Sequence, residues 1–306
     1  MEEIIGIHFG DYRAKIDCSR GANCISLQND RFRANILREP KSYQRDNPYL
    51  YGMPILFPVN RISDGCFAFE GRTYQFPINE PDTGCHLHGF LHEMPFVVAE
   101  HGDNFVRCVF EEPYMDFPHR FRIDMRYVLS NSGLEHRTRI TNLSETNMPV
   151  LVGFHTTFNI CFLKHAKKEN IRVFAEISQQ IQRNMETYLP TGSILPPDSV
   201  TESLRNGTFA FSNKGISRHY RVEGMGRMEL LDRESGIKLI YENDSSFPWR
   251  LFYSENGEEY ICLEPMSCMV NCPNAPFARE KTGFAYIEPY KTKEYVSKIY
   301  LQESGA

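Results

Sequence analysis

Between residues 121 and 142 the chain commits to one backbone period. Phe121, Ile123, Met125, Tyr127 and Leu129 alternate with Arg122, Asp124, Arg126 and Val128. Strand residues two apart share a face, so this order puts five apolar side chains on one side of an extended backbone. A helix would scatter the same residues around its axis. Asn131-Ser132-Gly133 then makes a tight turn, and residues 134–142 return with charges at alternate positions. That is an antiparallel hairpin with one wet face.

Similar short runs recur along the chain. Residues 24–28 alternate, Asn29-Asp30 turns, and residues 31–37 alternate again with Phe32, Ala34 and Ile36 on one face. The segment 41–51 is polar, with Asn47-Pro48 as a turn. Further strands are expected at 55–59, around Phe67 and Phe69, at 74–78 beyond Gly71, at 94–100 and at 105–110. Residues 150–160 form an apolar segment, 173–182 a strand or short helix, and Leu189-Pro190-Thr191-Gly192 a turn. Runs 228–231 and 237–241 flank the turn Arg233-Glu234-Ser235-Gly236, and the last strands fall at 260–265 and 295–301. Long amphipathic helices, low-complexity linkers and a fixed-period repeat are all missing from the pattern. The expected fold is therefore all-β, one large antiparallel β-sandwich spanning residues 1–306 as a single domain. An aromatic content of 13% fits a well-filled β core.

Composition narrows the function. A formal charge of -5 argues against nucleic acid, which needs clustered Lys and Arg to neutralise phosphates. The basic run at 164–168 is short and reads as a solvated face. Nine cysteines without a Cys-x-x-Cys pair suggest reduced thiols, several inside apolar runs as at Cys108, Cys161 and Cys262. The N-terminus starts Met-Glu-Glu with no basic and apolar leader, and no apolar run is long enough for a bilayer. A cytoplasmic protein without a membrane partner is expected.

Four separated signals could carry chemistry: Asn60-Arg61, His86-x-His88, His155 and Glu264. On a regular strand His86 and His88 would share a face, and Gly89 would let another backbone or a ligand come close. His155 lies in the apolar run Leu-Val-Gly-Phe-His-Thr-Thr-Phe-Asn and needs a partner there. Glu264 closes the apolar run Tyr-Ile-Cys-Leu before Pro265, where desolvation or a nearby arginine would shift its pKa. Each residue alone fits an ordinary buried or salt-bridged role. Together they suit acid, base and electrostatic clamp on two oxygens of one substrate.

At these residues the chain resembles the aldose 1-epimerase (galactose mutarotase) family. The pieces come in order: Pro58-Val59-Asn60-Arg61-Ile62, Leu87-His88-Gly89-Phe90, Gly153-Phe154-His155, Phe158-Asn159 and Ile261-Cys262-Leu263-Glu264-Pro265. Leu189-Pro190-Thr191-Gly192 adds to the likeness. The resemblance implies a supersandwich fold and the interconversion of α and β anomers of a hexose or related aldose. It implies Glu264 as the base on the C1 hydroxyl, His155 as the acid on the ring oxygen, and His88 as stabiliser of the opening sugar. Asn60, Arg61 and His86 would form the substrate-binding side, although His86 is not itself a family position. Neither metal nor cofactor is implied, and the partner is a small sugar, with the protein a monomer or homodimer. One departure stands out. The family places an aspartate, often followed by His and an aromatic, where this chain has Gly215-Ile216-Ser217-Arg218-His219-Tyr220. A lost hydroxyl contact changes which sugar is held more than it changes the chemistry. Arg218 or Arg250 would favour a phosphorylated sugar if either faced the site.

Two other classes compete. His86-x-His88 with Glu93 matches the first half of a cupin-like metal pattern, without a downstream half. A mutarotase-like fold that binds sugar without turnover is the other, since fold does not fix function. A glycoside hydrolase would need a second carboxylate with its own motif, and none is identifiable.

Overall fold

The computed structural model describes residues 3–40 and 47–304. Two large antiparallel sheets carry the fold. The hairpin Phe121–Ser130 and Gly133–Asn142 pairs without a slip, from Phe121 opposite Asn142 to Ser130 opposite Gly133, inside a nine-stranded sheet. Its five alternating apolar residues are all buried. The last strand, Thr292–Glu303, lies between Gly133–Asn142 and Ile237–Asn243, so the end of the chain is central to that sheet. The second sheet has eight strands. Five run in the order Pro190–Leu195, Ile177–Arg183, Ile216–Val222, Trp249–Ser254 and Tyr260–Met266, followed by the short pieces Gly153–Phe154 and Ile55–Leu56. Thr156–Asn159 also pairs with Tyr260–Met266.

Aromatic side chains join the two sheets. The His136 ring meets Phe154 edge-on at 4.8 Å, and Tyr241 meets Phe158 at 5.3 Å. Such edge-to-face pairs are favourable beyond the area they bury. The buried apolar cluster is continuous from Ile7 to Ile299. A four-stranded sheet from Ile4–Phe9 to Ala34–Asn35 packs on one end, tied by the Tyr127 hydroxyl donating to Ala22 O at 2.7 Å.

Several expected strands are cut short by turn chemistry. In 31–37 only Ala34–Asn35 forms a strand, with Leu37 in an isolated bridge to Phe158, because Asn29 Oδ1 accepts the Phe32 N–H at 3.1 Å and Arg33 is left-handed. The 173–182 segment is two strands, Ile171–Ala175 in the nine-stranded sheet and Ile177–Arg183 in the other. The expected turn at 189–192 is instead the start of Pro190–Leu195, an edge strand where proline's missing N–H is harmless. Pro48–Leu50 is a single 3-10 turn, and the 41–46 part of the polar segment lies outside the described residues. Among the described residues, the helices are short and none is long and apolar enough to cross a membrane. All nine cysteines are free.

Candidate active site

The floor of the site is the strand Tyr260–Met266, buried along its whole length. It runs two residues beyond Glu264 rather than ending on it. Cys262 and Glu264 point to one face, with Tyr253 and Leu251 opposite them on the next strand. On the other side the chain breaks between Gly153–Phe154 and Thr156–Asn159, and His155 fills the break. Its N–H donates to Pro54 O at 3.0 Å. His155 Nε2 then lies 3.3 Å from Glu264 Oε1, with the two side chains 6% and 1% exposed.

The facing wall comes from the segment around Asn60. Arg61–Ser63 pairs with Cys85–Leu87, but the strand stops at Leu87. His88 and Gly89 are both left-handed, at φ +66° and +69°. This reverses the expected facing of the two histidines. His88 turns into the cleft, its N–H donating to Asn60 O at 2.9 Å and its ring edge-on to His155 at 5.2 Å. His86 instead stacks on Phe76 at 5.0 Å and its Nδ1 lies 2.8 Å from Pro77 O, away from the cleft. Gly89 is required by close approach as well: a Cβ there would sit 2.0 Å from Phe57 O. Asn60 is left-handed too, and its Oδ1 accepts the Arg61 N–H at 3.0 Å. Arg61 reaches the cleft locked to Glu80 by two bonds of 2.6 Å.

These walls enclose a cleft of about 310 Å³. That is the scale of a small-molecule site. Asn60, Arg61, His88, His155 and Glu264 all line it; His86 does not. Sequence reasoning missed Tyr49, Glu80, Arg183, Tyr188 and Ser217. Tyr49 packs against His88 at 4.4 Å. Tyr188 hangs over the cleft from a turn held by Asn184 Oδ1, which accepts the Glu186 and Thr187 N–H groups. Its ring has the Arg61 guanidinium at 4.7 Å and that of Arg183 at 5.9 Å. Arg218 points elsewhere, to Asp198 and Gln180, and Arg250 is buried against the carbonyls of Phe247, Trp249 and Gly226.

Burial sets the protonation states. It pushes the Glu264 carboxyl up to about 8, against the opposing pull of Arg183 and Arg61. The same desolvation pulls His155 down to about 3, and lowers His88 with help from the nearby His155. The resting pair is thus a neutral imidazole beside a largely protonated carboxyl, with no ion pair to break. Glu264 Oε2, His155 Nδ1 and His88 Nδ1 are buried without a partner among the described residues. Buried polar atoms without partners are costly, so their persistence suits a site that completes its bonds with a ligand.

A metal fits poorly. His86 and Glu93, which the competing cupin-like pattern would use beside His88, do not converge with it: His86 faces Phe76, and Glu93 is exposed beside His92. Among the described residues only His155, Cys262 and Glu264 bring ligand atoms within 4.8 Å of one another. Metal binding needs the thiolate, and burial raises the Cys262 thiol well above its ordinary range.

Comparison with known proteins gives a consistent picture. The chain aligns over 99% of its length with a galactose mutarotase-like protein from Clostridium acetobutylicum, at 29% identity, 96% of that chain and a TM-score of 0.93. A GalM/aldose epimerase homologue from C. elegans has the same fold at 16% identity, with both chains fully covered and a TM-score of 0.79. Among curated sequences, a protein named as a probable aldose 1-epimerase from Arthroderma benhamiae is 27% identical over 56% of this chain and 42% of its own. The uncharacterized protein YihR of Escherichia coli is 26% identical over 50% and 49%. The chain thus spans about half the length of these two curated relatives. The family model for aldose 1-epimerase matches residues 8–294, nearly the whole chain, and the protein belongs to the aldose 1-epimerase family.

Proposed function

We propose that this protein interconverts the α and β anomers of an aldose by acid–base ring opening. The observation that carries the proposal is the buried Glu264–His155 pair, 3.3 Å apart, on the floor of a polar cleft. Ionised Glu264 takes the proton of the C1 hydroxyl as the bond from C1 to the ring oxygen breaks. The proton that the resting pair keeps on Glu264 passes to His155, whose imidazolium then gives it to the ring oxygen, leaving a neutral imidazole and C1 as an aldehyde. Rotation about C1–C2 and the reverse transfers close the ring on the other face. His88 and the Arg61–Glu80 pair hold hydroxyls and orient the ring. The nine free cysteines fit a reducing compartment, which supports a cytoplasmic location.

The test follows anomer interconversion of freshly dissolved sugar by polarimetry, with wild type against Glu264→Gln. Loss of a positioned base lowers the rate about 10²- to 10⁴-fold, and that collapse is the expected outcome. Sugar binding that survives the substitution, with no acceleration over spontaneous mutarotation by wild type, would instead identify a non-catalytic carbohydrate-binding protein.

A further inference from the structure

Arg183 is a charged cleft residue to which ring opening assigns no task. It ends the strand Ile177–Arg183, is 8% exposed and lines the cleft beside Ser217. Among the described residues it makes one hydrogen bond, from Nη2 to Ser217 Oγ at 2.8 Å, and no salt bridge. A guanidinium this deep ordinarily has a carboxylate or a set of carbonyls around it. The other arginines illustrate the rule: Arg61 has Glu80, Arg218 has Asp198, and the fully buried Arg250 has three carbonyl oxygens. Arg183 has a hydroxyl.

The remaining charges around the cleft do not supply the missing partner. Among the described residues two acids line it, Glu80 and Glu264. Glu80 is committed to Arg61 through both oxygens. Glu264 has its Oε1 toward His155 and makes no ion pair with Arg183. Arg61 and Arg183 meanwhile flank the same Tyr188 ring, so two cations converge there, and Glu80 answers only Arg61. A guanidinium with free donors lining a cleft matches the oxygens of a carboxylate, phosphate or sulfonate, often two at a time. A neutral sugar would leave Arg183 with only the longer-range attraction of Glu264.

We propose that the substrate is an acidic monosaccharide, whose anionic group Arg183 receives on the Ser217 side of the cleft. This rests on the aldose reading above and narrows it to a class of sugar. It also gives position 217 a physical meaning: an aspartate there would neutralise Arg183, whereas serine leaves its charge for the ligand.

The experiment measures anomer exchange by polarimetry or exchange NMR on glucose, galactose, glucuronate, galacturonate, glucose 6-phosphate and a 6-sulfonated glucose. Wild type is compared with Arg183→Gln and with Ser217→Asp, which keeps the arginine and supplies a competing carboxylate. The expected result is a higher kcat/KM for at least one acidic sugar than for either neutral one. In both variants the acidic-to-neutral ratio should fall about 10- to 100-fold, the scale of a hydrogen bond to a charged group. The sugars that respond identify the anion. If neutral sugars are turned over as well as acidic ones and the ratio ignores both variants, the acidic-sugar proposal falls and the epimerase reading stands. If no sugar is accelerated, calorimetric titration decides. Acidic-sugar binding that is lost in the variants keeps this proposal and removes the epimerase reading, while no binding at all overturns both. Should Arg183→Gln fail to fold, Ser217→Asp carries the comparison alone.

Discussion

At the scale of single residues, the proposed ring opening depends on how far burial moves a proton. Glu264 ordinarily titrates near 4.5 and is held up at about 8, so its basic form is the minority at neutral pH. Since kcat/KM reports the free enzyme, and ring opening needs one proton held between Glu264 and His155, it should be level below about 8 and fall as pH rises through it. A profile that stays flat between pH 6 and 9 would remove Glu264 as the base. Glu264 and His155 were legible as candidates because a titratable group in an apolar strand is an anomaly in one dimension. Arg183 left a fainter trace, as an arginine in phase with the buried Ile177 and Ile181. His86 misled for a local reason: an i, i+2 spacing predicts a shared face only while the strand stays regular, and it ends one residue too early.

At the scale of elements, His88 depends on the Leu87-His88-Gly89 reversal. The backbone there is left-handed at two successive residues, and Gly89 packs on the Phe57 carbonyl. Gly89→Ala should cost at least about 1–2 kcal/mol from the backbone conformation alone, with the clash added. The check is a lower Tm together with a fall in kcat/KM, because the segment that moves carries His88. An unchanged Tm would mean that the loop adapts freely. The turn at 184–189 is the second such element. It exists because Pro190–Leu195 returns along Ile177–Arg183, and that pairing brings Tyr188 over the cleft.

At the scale of the whole molecule, the site is maintained against stability. A carboxyl with a raised folded-state pKa stabilises fully below its unfolded value of about 4.5 and loses that contribution as pH rises through about 8. His155 has the opposite sense, its contribution present above 6.5 and lost as pH falls toward about 3. Replacing Glu264 with Gln removes the first effect. The Tm advantage of Glu264→Gln over wild type should therefore be absent near pH 4, grow toward pH 8 and then stay level. On the order of a few kcal/mol is at stake for a carboxyl buried this completely. Thermal unfolding across that range checks it, and a difference that shrinks with rising pH would contradict the burial argument.

The sequence by itself determined the β period, the antiparallel hairpins and the polar residues placed within apolar strands, because side-chain alternation is a local property of the backbone. It also carried the family likeness in its ordered short motifs. What it could not determine was facing and company. The left-handed turn at His88, the crossing between sheets at Glu176, and the meeting of Arg183, Ser217, Tyr188 and Glu264 depend on which strands pair. Pairing is decided by burial across residues far apart in the chain, and only the folded sheets bring those side chains to one cleft.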